Sequence, residues 1–566
     1  MPKAKGAKRT KPLKWTIGIY MVADNDLSDI GVDDVRDIIN AKNLKLAIDK
    51  GNMKRENVAV IYQLDRKDKA ERRQVLPDYD DYNNKDFKGV EVASALKPFF
   101  EFCVDRFEAE NYLLILWGHA RRTSSDETLK TLMDFEKKGI PAKSGMKDTL
   151  TPAARQQLNE VLDSFFMIAP EDRPWEALTV KQLADVAKNI NKKIKGEDGS
   201  KKRSFILGLD TCLLSSAEIC YELNGYADFI ISSEGRVPDS SWDYYKVLTS
   251  IFHNPDINAE KLCETIVENY VEYYRNYREC YVQLSTLDLR DDKPVKLMET
   301  VKALSQLITP KLEEDDVEVR NALLSAHLRA QYYSMHNMND LYDFCYLLCE
   351  SCHPERQSDI RQACRDVMSA IGTSQSPNLA LKSANNGGDM EFSYGVSIFF
   401  PWNELPESYS HLKFAEETEW DKFLEKYLRV TGKFEQSSRI ALGRDGESLV
   451  AEDNDAGYSI DKAVFSLHKL YWSKDTSPQP NEREVPQGRE VPQGREVPQG
   501  REVPQGREVP QGREVPQGRE VPQGREVPQG RELANYIARA LESCPKPKVW
   551  TLADGDSSGM FRRMKR

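Results

Sequence analysis

SFILGLDTCLLSSAEICYEL, running from Ser204 to Leu223, is the stretch whose reading decides the fold. Ser204 to Leu209 is a short run with apolar residues on both alternating faces. That is the mark of a strand buried on both sides of a parallel sheet. The run ends in Asp210-Thr211-Cys212, after which helical spacing (Ala217, Ile219, Cys220, Leu223) takes over. Ligands of open α/β sheets bind at the carboxyl ends of strands, and a following helix N-terminus lowers a thiol pKa. Cys212 is therefore well placed for chemistry. The other reading is an inert buried thiol, the commoner fate of a cysteine.

Upstream, NYLLILWGHA at 111–120 is a second buried apolar run, ending in Gly118-His119. If the two strands are neighbours in one parallel sheet, their ends lie roughly 5 to 10 Å apart. His119 and Cys212 then converge on one cleft as a Cys/His hydrolytic pair.

Six segments of the chain resemble the clostripain family of cysteine peptidases, within the wider group of caspases, legumains and gingipains. They are WTIGIYMVADNDL at 15–27, NYLLILWGHA at 111–120, FILGLDTCLLSSAEICYEL at 205–223, FIISSEGRVPDSSWDYY at 229–245, YVQLSTLDL at 281–289 and YGVSIFFPW at 394–402. They occur in family order, and the resemblance fades after LEKYLRV at 424–430. It implies an α/β fold, a caspase-like α/β/α sandwich with a mostly parallel central sheet. It also implies cleavage of peptide bonds after basic residues; Arg is expected over Lys if a carboxylate meets it in bidentate fashion.

The expected organisation is a basic leader at 1–14, a peptidase domain at 15–436, an extension at 437–482, a repeat linker at 483–530 and a C-terminal segment at 531–566. Within the linker the unit REVPQG repeats eight times without change. A six-residue unit with Pro and Gly in every copy cannot build a core and reads as an extended linker. Between His119 and Cys212 lies far more chain than the dozen residues a parallel crossover needs. Helical spacing at 178–190 accounts for the crossover itself, and residues 121–176 read as an insertion holding an amphipathic helix at 153–166. Long insertions beside active sites are lids, binding loops or disordered segments.

Composition excludes several classes. Of 566 residues 40% are hydrophobic, enough for a sizeable core, and the net charge of −11 gives no reason to invoke nucleic acid as a partner. No apolar run reaches the ~20 residues of a membrane span, so no membrane partner is expected. The basic leader lacks the apolar h-region of a secretory signal. Ten cysteines without framework spacing fit a reducing compartment. The cytoplasm is the expected location. Cys349-Glu350-Ser351-Cys352-His353 matches a haem-attachment pattern, with Cys345 and Cys364 nearby. Cys345 and Cys349 stand four apart in an apolar helical run, which core packing explains. No Walker loop or dinucleotide fingerprint occurs. No cofactor is expected; calcium is needed by some relatives, but the acidic run from Glu313 to Asp316 lacks a coordinating-loop spacing.

The roles follow. Cys212 is the nucleophile and His119 the acid/base, and the resemblance requires no third residue. Backbone N–H groups of Cys212 and Ala120 would hold the oxyanion. The family has glycine where Ala120 stands, and alanine disfavours positive φ. That departure raises the opposing reading, a pseudoenzyme that binds peptides without cutting them. Asp210, two residues before Cys212 on a strand, would share its face roughly 6.6 Å away and meet a substrate cation; alternatively it caps the next helix. The resemblance makes the loop from Ser233 and Glu234 to Trp242 a wall of the substrate cleft, with Trp242 equally readable as a packing residue. Asp24-Asn25-Asp26 reads as turn and N-cap residues or as part of the cleft. Partners are Arg- or Lys-containing peptides, with an activating protease or inhibitor as a switch. Cleavage of a proenzyme in the insertion has seven basic targets: Arg121, Arg122, Lys130, Lys137, Lys138, Lys143 and Lys147.

Overall fold

The computed structural model describes residues 12–49, 57–66, 69–76, 85–87, 92–123, 152–169, 177–275, 280–314, 316–333, 337–402, 404–437, 441–442 and 449–450. All of these fall in the first of two units, Met1–Phe465; the second, Ser466–Arg566, lies outside the described residues. So do the leader before residue 12 and the REVPQG repeats.

The predicted apolar runs become the middle of one large sheet. Its strands are β1 (Leu13–Ala23), β2 (Val58–Arg66), β3 (Lys69–Leu76), β4 (Lys85–Phe87), β5 (Ala109–Trp117), β9 (Ser204–Asp210), β10 (Phe229–Ser232), β11 (Gln283–Asp288) and β14 (Ala380–Asn385). Their spatial order is β14-β11-β10-β9-β5-β1-β2-β3-β4. The central strands β2, β1, β5, β9 and β10 are parallel, while both flanks are antiparallel. An antiparallel flank on a parallel centre is common in large mixed sheets.

Alternation along the strands sends side chains to two separate cores. On β1, Trp15, Ile17, Ile19 and Met21 enter one and Tyr20 and Val22 the other. On β5 the division is Leu113, Ile115 and Trp117 against Tyr112, Leu114 and Leu116. The first core is closed by α1 (Ser28–Asp49), α6 (Tyr244–His253) and α7 (Ala259–Arg275). The second is closed by α2 (Val92–Arg106), α4 (Val180–Lys195), α5 (Ala217–Glu222) and α8 (Lys293–Glu313). Burial on both faces explains why the parallel strands read as continuous apolar runs. The architecture is an α/β/α sandwich with a mostly parallel centre, as expected.

One region departs from expectation. The described residues within 121–176 form ordered structure. β6 (Ala120–Arg122) pairs with β7 (Phe166–Ile168), which pairs with β8 (Leu178–Thr179), and α3 (Pro152–Leu162) precedes β7. Phe165, Phe166 and Ile168 are fully buried, which anchors this small sheet on the body. The predicted helix at 153–166 therefore ends four residues early, its last apolar residues being drawn into β7. Between residues 317 and 371 the strands β12 (Tyr332–Tyr333) and β13 (Met338–Asp340) lie among helices, and β13 pairs with β15 (Ser397–Phe399).

Candidate active site

β5 and β9 are adjacent and in register, from Asn111 opposite Ser204 to Trp117 opposite Asp210. His119 and Cys212 thus each leave the sheet two residues beyond a paired position, on strands about 4.8 Å apart. The two exits are also tied together, since Gly118 N–H donates to the Asp210 carbonyl at 3.2 Å. Gly118 sits at φ +153, a conformation that favours glycine. Beyond Cys212 the chain turns through Leu213 at φ +70, and Leu213 is fully buried. A buried leucine in the left-handed region costs about 1 kcal/mol or more, so the surroundings must hold it. They do: Leu213 N–H donates to Gly235 O and Ser215 N–H to Ser233 O, both at 3.0 Å.

His119 and Cys212 line one small cavity. Asp210, Leu27, Trp117 and Gly118 complete one side, and Val237, Pro238, Asp239 and Ser241 the other. The enclosed space beside the thiol is about 20 Å³, on the scale of one water molecule, and the site opens to solvent. The residue Cys212 is half-buried, and burial pushes its thiol above the ordinary cysteine range, with Arg236 opposing. The backbone of Val237 clasps the sulfur, its N–H lying 3.3 Å from Sγ. The expected helix-N-terminus effect is missing, because α5 begins at Ala217 behind a Ser216 cap and does not start at Cys212.

His119 is 19% exposed, and its Nε2 lies 2.8 Å from Oδ1 of Asp26. Asp26 sits in the turn between β1 and α1 and meets the cleft residue His119 without itself lining the cavity. Asn25 makes the turn, its Oδ1 accepting from Leu27 N–H at 2.9 Å.

Asp210 lines the cavity but reaches it differently from the expectation. β9 ends at Asp210, so Asp210 and Cys212 are not alternate residues of one strand. The carboxylate turns toward the first core, where Oδ2 accepts from Trp242 N–H at 3.2 Å and Tyr244 O–H at 2.9 Å. Burial raises its pKa to about 7. Its other oxygen, Oδ1, is buried and has no hydrogen-bond partner among the described residues. Asp210 does not cap α5; Ser216 does. Asp34, on α1, accepts from the Ser241 hydroxyl at 2.7 Å, and burial lifts its pKa to about 8.

Three assigned wall residues need correction. Trp242 is 1% exposed and packs over Gly208, where an added Cβ would stand 3.2 Å from the indole. Trp242 is a packing residue. Ser233 and Glu234 are fully buried and do not line the cavity. The Ser233 hydroxyl faces Gln283, and Glu234 accepts from Gly395 N–H at 2.8 Å. Burial and the neighbouring Asp340 push the Glu234 carboxyl well above the usual carboxylate range. These residues brace the base of the loop, while Val237, Pro238, Asp239 and Ser241 form the wall itself. Sequence reasoning named this loop as a wall but not these four residues of it; the polar run Pro-Asp-Ser-Ser was the available signal.

Ala120 is buried in β6 and is absent from the positive-φ residues. Ala169 N–H donates to His119 O and Thr123 N–H to Phe165 O. By antiparallel alternation, the Ala120 N–H turns away from β7. Two of the seven basic targets are also corrected. Arg121 and Arg122 are held in β6, and Arg122 is buried with its guanidinium 5.1 Å from the Phe399 ring centre. Lys130, Lys137, Lys138, Lys143 and Lys147 lie outside the described residues. Cys345, Cys349, Cys352 and Cys364 are buried as free thiols on and beside two packed helices, Leu341–Ser351 and Ser358–Ile371. Among the described residues no group of three or more His, Cys, Asp or Glu could hold a metal ion, and no helix is long and apolar enough to cross a membrane.

Comparison with known proteins was made on this basis. The model of the clostripain family matches residues 19–140 and 175–427, more than half the chain. No curated protein sequence matches. Among solved structures, a secreted C11 cysteine protease from Bacteroides thetaiotaomicron with an irreversible peptide inhibitor is 14% identical, with a TM-score of 0.46 over 72% of this chain and 99% of that one. An inactive zymogen C11 protease from Parabacteroides distasonis is 14% identical, with a TM-score of 0.45 over the same shares.

Proposed function

This chain belongs to the clostripain family of cysteine peptidases, and from that membership we propose an endopeptidase that cuts after arginine and, less well, lysine, using Cys212 and His119. The observation that carries the specificity is Asp210. A buried carboxyl with one unpartnered oxygen lines the cavity that holds the thiol. A guanidinium or ammonium entering there would supply the missing partner, since a buried charge left unpaired is costly. Asp239 adds a second carboxyl to the same lining. Arginine is favoured because its several donors could meet Asp210 Oδ1 and the Asp239 carboxylate together.

In the reaction, the His119 ring takes the thiol proton as Sγ bonds to the scissile carbonyl carbon and the carbonyl pair moves to oxygen. The N–H groups of Cys212 and Ala120 would receive that oxygen. As the C–N bond breaks, the ring returns the proton to the leaving nitrogen, giving a free amine and a thioester. Water then attacks with the same proton shuttle and releases the acid. The pseudoenzyme reading rested on a need for positive φ at residue 120; Ala120 lies in an ordinary strand conformation, which removes that reason. The test is a panel of peptide amides ending in Arg, Lys, Asn, Asp or Leu. The expected order of kcat/KM is Arg, then Lys, then the rest; equal rates, or a preference for an acidic residue, would sink the specificity.

The same geometry supports a proenzyme. The space beside the thiol is narrow, and the Val237 N–H lies against the sulfur. An outward shift of the wall from Val237 to Ser241 would widen it for an arginine side chain. Cutting within 124–151, at one of its five lysines, is the proposed release, since β6 carries the chain straight from His119 into that interval. An activating protease would be the partner. A foreign protease site built there, with the five lysines changed to alanine, should give a protein at least about tenfold more active after cutting. Full activity in the uncut variant would overturn the proenzyme. The compartment proposed is the cytosol, on the cysteine pattern.

A further inference from the structure

The ring of His119 has two nitrogens, and the surroundings treat them differently. Nε2 lies 2.8 Å from the Asp26 carboxylate. That carboxyl is held below the usual carboxylate range, first by the bond to His119 and further by Arg121. An ionised carboxylate can only accept, so Nε2 carries a hydrogen. In the neutral ring the lone pair is then on Nδ1.

We propose that Asp26 is a positioning residue for the hydrolysis: by accepting from Nε2 it fixes the ring and its tautomer, and so makes Nδ1 the nitrogen that exchanges protons with the Cys212 thiol and the leaving amine. This rests on the reading of Cys212 and His119 as the reacting pair. Asp26 itself touches neither thiol nor substrate. In acylation Nδ1 accepts the thiol proton as the S–C bond forms, and the ring is briefly a cation with both nitrogens protonated. Asp26 faces the positive charge at that moment. Nδ1 then gives the proton to the departing nitrogen, which leaves with the C–N pair, and the ring returns to its starting form. No proton is gained or lost by Asp26.

The contribution is orientation more than charge. The Asp26 side chain is 76% exposed, so solvent screens the pair. The same exposure means that its loss leaves no hole in a core. The local turn survives too, because Asn25 makes it.

Three substitutions in the full chain, activated as the wild type is, separate the roles. Asp26→Ala should lower kcat about 10- to 30-fold with KM changed less than about twofold. Asp26→Asn should be no better than alanine, because its amide can donate to Nε2 and favour the wrong tautomer. Asp26→Glu, which restores an acceptor at an exposed turn, should return to within about threefold of wild type. A loss confined to KM, or wild-type kcat in both Asp26→Ala and Asp26→Asn, would overturn the assignment. A second measurement needs no turnover and so stands apart from the specificity. With ¹⁵N-histidine in the full chain, and His119 assigned by its loss in His119→Gln, the nitrogen shifts should report Nε2–H in the wild type and a mixture in Asp26→Ala. An Nδ1–H ring in the wild type would overturn it outright.

Discussion

Cys212→Ala is expected to lower peptide turnover by about 10⁴-fold or more while leaving the fold intact. The size follows from losing the bond-forming atom, since what remains is binding and oxyanion stabilisation alone. The fold should survive because the sulfur makes only weak contacts with the Val237 backbone, at 3.3 and 3.9 Å. The natural control is Cys280→Ala. Among the described cysteines, Cys212 and Cys280 are the two that are not fully buried. Burial drives the thiols of Cys103, Cys220 and Cys263 far above the range in which they could react. Turnover measured after activation, with circular dichroism on the same samples, decides the matter. Retained activity in Cys212→Ala with loss in Cys280→Ala would move the nucleophile.

Asp210→Asn should cut kcat/KM for arginine peptides by about 10²-fold or more and barely change it for peptides ending in leucine. Asparagine is the informative change. It keeps an acceptor oxygen for Trp242 N–H and Tyr244 O–H, which alanine would strand. A pH signature should go with it. Burial raises the Asp210 pKa to about 7 in the free protein. Below that pH the carboxyl is protonated and presents no charge to a cation; above it the carboxylate is ready. Arginine kcat/KM relative to leucine should therefore rise with pH through about 7 in the wild type and stay flat in Asp210→Asn. Taking the ratio removes the titration of Cys212, which both substrates share. An unchanged preference for arginine would leave Asp210 with a structural role only, as the anchor of Trp242 and Tyr244.

The parts of this molecule that could be read from the chain are those whose evidence is local. Buried parallel strands announce themselves as apolar runs, so β5 and β9 were legible, and with them the neighbouring exits of His119 and Cys212. What sequence could not carry is pairing across long separations. Glu234 reads as a cleft carboxylate until Asp340 and Gly395, more than a hundred residues away, are found beside it. β6 and β7 are three residues each, too short for periodicity to register, and so Arg121 and Arg122 read as loop residues. Asp26 read equally as a turn residue because its partner lies 93 positions along the chain. Asp210 lines the cavity with Cys212, but not as its neighbour on one strand, because β9 ends at Asp210.

The position of the interval 124–151 has a consequence for recovery from damage. A cut there would leave β1 to β6 and His119 on one polypeptide, and β7 onward with Cys212 on the other. The two pieces would be joined down the centre of the sheet by seven register pairs of β5 with β9, and again by β6 with β7. Under native conditions such a nicked molecule would travel as one particle. Unfolded, it would be two strangers. Refolding of the intact chain is a first-order event, whereas refolding of the cut one needs an encounter and slows with dilution. Activation by cutting would thus convert a protein that can renature into one whose lifetime is set by its first unfolding.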